Sequence, residues 1–169
     1  MTAFATGRDI VVGVDGSEAS AAALRWAAEQ ARAVHAEVVA VHAWEPTGPH
    51  IAPYAPVSAR PTAEAERDAA ARLLADTVRS ALGSRKSPGI RAELVEGPAA
   101  RVLLDRARGA LLLALGHTLH GPGDQGAIGA VGRECLRHAM VPVVEVPATG
   151  RPTGPARGSR TRQIACAAV

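Results

Sequence analysis

Aromatic residues are almost missing: Phe4, Trp26, Trp44 and Tyr54 are the whole set in 169 residues. A core must therefore be built from Val, Leu, Ile and Ala, which suits helices laid on a parallel sheet. Cysteine is equally scarce. Cys135 and Cys166 cannot make a disulfide framework, and the Met1–Ile10 start has no long apolar segment of the signal-peptide kind. A reduced cytoplasm is the expected compartment. No run approaches the roughly eighteen apolar residues of a membrane span, so a soluble chain with no membrane partner is expected. Lysine occurs once, Lys86, against eighteen arginines. With the abundant Ala and Gly, that bias reads as GC-rich codon usage and a bacterial source.

Basicity is misleading here. The pI near 9.5 invites a nucleic-acid reading, yet Arg151, Arg157, Arg160 and Arg162 all lie beyond Pro147 with no acidic residue among them. Removing these four from the net +3 leaves residues 1–147 at about −1, so no phosphate-tracking surface on the folded body is expected. At 47% apolar content one domain with a sizeable core is expected. Residues 148–169 have no period that could bury a face and read as a disordered basic tail. Their last four, Cys166 to Val169, fit a prenylation pattern only formally. Val is an atypical final residue, and a bacterial host would have no transferase.

What is present alternates between two periods. Ile10 to Val14 is a β-branched run, and Ser17 is a credible N-cap for a helix through about Ala33. Glu37 to Ala43 is a second strand, while Trp44 to Pro61 holds five prolines and reads as a long loop. Thr62 and an acidic first turn begin a helix that Gly83 stops. Ile90 to Val95 is a third strand, Pro98 starts a helix to about Arg108, and Ala110 to Leu115 is a fourth, fully buried strand. Ile128 to Ala139 reads as the last helix. Val141 to Val146 reads as a last strand, at an edge because of Pro142. The sum is an α/β chain with an open five-stranded parallel sheet covered by helices on both faces, a Rossmann-like arrangement.

In such sheets ligands sit beyond the carboxyl ends of the strands where strand order reverses, which directs attention to the segments after the first and fourth strands. Asp15-Gly16-Ser17 follows the first; its Asp is either a ligand contact or an Asx-turn that caps the helix. After the fourth comes "GHTLHGPGDQGAIGAVG", with six glycines between Gly116 and Gly132. Gly121 to Gly126 matches a dinucleotide fingerprint only formally, because it follows its strand at a distance and Pro122 removes an amide. The Walker phosphate loop is absent. His117 and His120 have no third ligand at a persuasive spacing, so no metal site is expected. Ser17 and Ser20 sit beside a cap and outside any G-x-S-x-G, so no hydrolase is expected.

Taken together, residues 9–147 resemble a universal stress protein domain, with residues 1–8 as an N-terminal extension. The resemblance rests on "IVVGVDGSEASAAALRWAAEQA", "VVAVHAWEP", "EGPAARVLLDRA" and above all "GHTLHGPGDQGAIGAVGRECLRHAMVPVVEVP". It implies the Rossmann-like fold of the adenine nucleotide alpha hydrolases. ATP-binding members carry G-x2-G-x9-G-[ST] between the fourth strand and the last helix. Here Gly116 and Gly129 hold the first and third glycine positions, Leu119 stands at the second, and Ala130 replaces the hydroxyl residue. The resemblance places a nucleotide against Val14, Asp15, Gly16 and Ala43 on one side. On the other side stand Gly116, His117, Gly129, Ala130 and Val131.

The lost hydroxyl costs roughly 1.5–3 kcal/mol of hydrogen bonding to a charged phosphate, about one to two decades of affinity. Leu119 restricts positive-φ geometry. Asp124 adds a like charge near the phosphates, or else a ligand for Mg²⁺. The expectation is thus a non-catalytic stress-response or dormancy protein, a cytoplasmic homodimer paired through its last strand, holding ATP weakly and with Mg²⁺. The alternatives are a true ATP-binding regulator that tolerates Leu119 and Ala130, or a weak ATPase or transferase, for which no positioned general base is visible.

Overall fold

The structure, a computed structural model, describes residues 7–47, 61–83, 89–117 and 128–148. Leu119, His120 and Asp124, most of the proline-rich loop, and the tail after Ala148 lie outside the described residues. Five strands alternate with four helices: β1 (Asp9–Gly13), α1 (Glu18–Val34), β2 (Glu37–Trp44), α2 (Ala63–Leu82), β3 (Ile90–Glu96), α3 (Ala99–Ala107), β4 (Leu112–His117), α4 (Ala130–His138) and β5 (Val143–Pro147). All pairings are parallel, and the strand order is β3-β2-β1-β4-β5.

Helix α1 starts where its cap says it should. Ser17 is extended and its Oγ accepts the Ser20 amide at 3.1 Å, with Glu18 in the first turn facing the positive end of the helix. It stops at His35, in left-handed conformation, whose amide donates to the Ala31 carbonyl. Between these ends Ala19, Ala21, Ala22, Ala23, Ala27, Ala28 and Ala31 are buried, so the helix backbone lies close on the sheet. Thr62 caps α2 in the same way, its Oγ1 accepting the Ala65 amide at 3.1 Å.

Two apolar layers result. On one face Ile10, Val12, Val38, Ala40 and Ala114 meet Leu24 of α1 and Leu74 of α2; on the other Val11, Val39, Val41, Leu113 and Leu115 meet Val102 and Leu103 of α3 and Cys135 of α4. The expected aliphatic core is realised, with Trp26 packed against the first layer as its one aromatic among the described residues. No helix among the described residues is long and apolar enough to cross a membrane.

Some boundaries move from the sequence expectation. Trp44 still pairs with Glu96 and belongs to β2 instead of the loop. β4 begins at Leu112, leaving Leu111 41% exposed in the preceding turn, with its amide donating to the Asp9 carbonyl. An unbroken apolar run hides that shift. α4 begins at Ala130 instead of Ile128, because Gly129 is extended (φ −59°, ψ 163°) and acts as its N-cap. Pro142 lies just before β5 and contributes only its carbonyl, which accepts the Leu113 amide. β5 is an edge strand, as its proline implied.

Candidate functional site

Strand order reverses between β1 and β4, and their carboxyl ends diverge there to open a cavity of about 400 Å³. Gly13 and Val14 leave β1 at its floor, Val41, His42 and Ala43 end β2 on one flank, and Leu115, Gly116 and His117 end β4 on the other. Ser17 and Ser20 of the α1 start, Ala99 and Leu103 of α3, Gly129 to Gly132 at the α4 start, and Glu145 of β5 complete the wall.

Two glycines let the strands approach so closely. A Cβ on Gly13 would come within 2.8 Å of the Leu115 side chain. A Cβ on Gly116 would overlap the backbone of Ala19 and lie 2.5 Å from the Ser20 amide nitrogen. Gly116 is therefore where β4 touches the first turn of α1. Gly129 is different: a Cβ there would meet nothing within 4 Å. The same open space lets a ligand come up against the backbone at Gly129. The amides of Ala130, Val131 and Gly132 precede the first hydrogen bond of α4, from the Arg133 amide to the Gly129 carbonyl, and α4 has no side-chain cap.

Asp15 makes the Asx-turn that the sequence allowed and also stands at the cavity. Its Oδ1 accepts the Ser17 amide at 3.0 Å and the Ser17 hydroxyl at 2.6 Å, an Asx-turn into α1, yet the residue also lines the cavity. Desolvation by neighbouring protein is the largest influence on its carboxyl and works upward. The hydrogen bonds from Ser17, with Ser20, outweigh it and hold the carboxyl below its ordinary value. His42 Nδ1 donates to the Val14 carbonyl at 2.7 Å, which fixes the ring and leaves Nε2 free of that bond.

Of the residues expected from the sequence, Val14, Asp15, Ala43, Gly116, His117, Gly129, Ala130 and Val131 all line this one cavity. Gly16 does not. It has φ +85° and makes the turn after Asp15, with the Leu73 side chain of α2 lying 3.1 Å from where a Cβ would stand.

Sequence reasoning passed over His42 and Glu145. Glu145 Oε2 faces His117 Nδ1 at 3.7 Å inside the cavity, the side chains being only 21% and 12% exposed. Its Oε1 lies 2.9 Å from where a Gly132 Cβ would stand, beside the third residue of α4. A lone acid in "VPVVEVP" was the available signal. Only the pairing of Glu145 with Leu115 in β4 shows which way it faces.

Known proteins resemble this chain in sequence and fold. A family model described as "Universal stress protein family" matches residues 7–147. A universal stress protein of Mycobacterium tuberculosis (strain H37Rv) is 31% identical over 139 residues, covering 80% of this chain and 46% of that protein. This chain thus spans about half the length of the curated relatives it matches. The crystal structure of a universal stress protein family member from Burkholderia pseudomallei superposes with a TM-score of 0.60 at 30% identity, covering 83% of this chain and 96% of that one. The universal stress protein of Archaeoglobus fulgidus in complex with dAMP has a TM-score of 0.58 at 23% identity, covering 86% and 99%, and speaks for the fold alone. With the family model spanning the whole described fold and its cavity, the chain belongs to the universal stress protein family.

Proposed function

We propose that this chain is a non-catalytic stress-response or dormancy module that holds an adenine nucleotide weakly in the β1/β4 crevice. The observation that carries the reading is the cavity itself. Asp15 stands at one end, and at the other are three amides of α4 without a helical acceptor beside the open backbone of Gly129. Anionic groups favour such a helix start, and the Archaeoglobus relative holds dAMP. Ala130 offers no hydroxyl there, which supports weak rather than tight retention. Mg²⁺ would accompany a triphosphate as its counter-charge. The serine nearest the acid, Ser17, has its hydroxyl committed to Asp15 and to the α1 cap, so it supports no nucleophilic role.

Calorimetric titration with ATP and Mg²⁺ tests this, with a dissociation constant of about 100 µM or weaker expected. Submicromolar affinity would instead favour the ATP-binding regulator, for which the space at Gly129 is the supporting feature. Turnover of ATP that Asp15→Ala abolishes would favour the enzyme reading. The partner we propose is a second copy of the chain, joined edge to edge through β5 in the cytoplasm. Val143, Val144 and Val146 would otherwise leave an apolar edge unpaired.

A further inference from the structure

We propose that Glu145 sets the charge of the ligand this crevice accepts, so that the site takes the uncharged nucleoside in preference to its phosphates. The inference rests on the adenine-site reading above and narrows its ligand. The lining contains two carboxylates, Asp15 and Glu145, and no Lys or Arg among the described residues. Of the segments outside the described residues, 118–127 after β4 carries no Lys or Arg, and 48–60 after β2 carries Arg60. The sequence carries no Lys or Arg from Gly109 to Gly132, nor from Asp9 to Leu24. The cation-capable groups of the described lining are His42 and His117, charged only when protonated, and His42 already donates Nδ1 to a backbone carbonyl.

Glu145 is placed where a phosphate would gain most. Its carboxylate lies against Gly132 in the first turn of α4, the positive end of that helix, so the chain supplies its own anion there. A phosphate brought to that helix start meets the like charge of the carboxylate at close range. A nucleoside avoids the repulsion and keeps its 5′ hydroxyl, which phosphorylation removes. Ionised carboxylates accept hydrogen bonds from such hydroxyls.

The test is titration of the full chain with adenosine, AMP and ATP in EDTA at low salt, for the native protein and for Glu145→Gln, with circular dichroism to verify folding. The native protein should rank adenosine above AMP above ATP. The variant should gain about tenfold in AMP and ATP affinity relative to adenosine. A second measurement needs no variant: raising salt should strengthen native ATP binding relative to adenosine, because screening weakens repulsion. ATP binding tighter than adenosine binding, unchanged in Glu145→Gln and weakened by salt, overturns the role of Glu145 and leaves the adenine site standing. If none of the three ligands binds either protein, the adenine site itself is rejected and this inference with it.

Discussion

Two glycines of one motif carry different burdens, and alanine substitution separates them. Gly116→Ala places a methyl group into the backbone of Ala19 and 2.5 Å from the Ser20 amide nitrogen. Backbone at the capped start of a helix cannot rotate aside like a side-chain end, so β4 and α1 must move apart. Overpacking of this kind costs about 1–3 kcal/mol, and a backbone obstacle puts the cost near the upper end. The narrower unfolded ensemble of alanine returns about 0.4–1 kcal/mol. The net loss of about 2 kcal/mol lowers the thermal midpoint by about 6 °C at about 3 °C per kcal/mol.

Gly129→Ala is the control. Its methyl meets nothing within 4 Å. The poorer N-cap value of alanine and its smaller unfolded-state entropy nearly cancel, leaving a change within about 0.5 kcal/mol. Thermal unfolding followed by circular dichroism at matched protein concentration reads both. Equal midpoints for Gly116→Ala and the native chain, or a fall in Gly129→Ala as large as in Gly116→Ala, would refute this division of roles. Ligand titration completes the contrast, since Gly129→Ala should weaken nucleotide binding while leaving the midpoint in place.

Ala130→Ser, together with Leu119→Gly, should tighten ATP about tenfold to hundredfold by restoring a hydroxyl donor and close backbone approach; calorimetry that finds no gain would mean the loop follows another path. Asp15→Asn should flatten the acid limb of the stability curve. The native carboxyl is held below 3.8, so its contribution is full above the unfolded value and is lost as pH falls through the still lower folded value. Denaturant midpoints measured between about pH 6 and pH 2.5 check this. Leu24→Ala, at a position with no exposure, should cost about 2–5 kcal/mol, whereas Met140→Ala, 90% exposed, should stay within about 0.5 kcal/mol. Light scattering of the native chain should give a two-chain mass. Val144→Lys should halve it, and circular dichroism must accompany the variant because Val144 also packs against the α1-side layer.

Most of the fold was legible because each local signal had a single physical reading. Ser17 and Thr62 cap helices as their positions require, and the β-branched runs could only be buried strands. The errors sit where the sequence has no contrast. Ala110 to Leu115 is apolar throughout, so periodicity could not place the start of β4, which the Leu111 amide on Asp9 decides. Ile128 is apolar before a helix and reads as part of it, until the extended conformation of Gly129 makes that glycine the cap.

The candidate site divides along a different line. Residues beside a turn or a glycine were found, since small residues next to strand ends have few other reasons to be there. Glu145 was not found as a site residue, because facing in a strand depends on register, and register belongs to pairing rather than to the strand's own sequence. On β5 the core-facing valines and the single acid differ by one step of the pleat. Val144 and Val146 pack toward α1, while Glu145 turns to the α3 and α4 side beside Leu115 and Gly132. A register slip of one residue would turn that acid into the apolar layer under α1 and carry Val144 and Val146 to the α3 and α4 side, so the same charge that colours the cavity also disfavours that slip of β5 on β4.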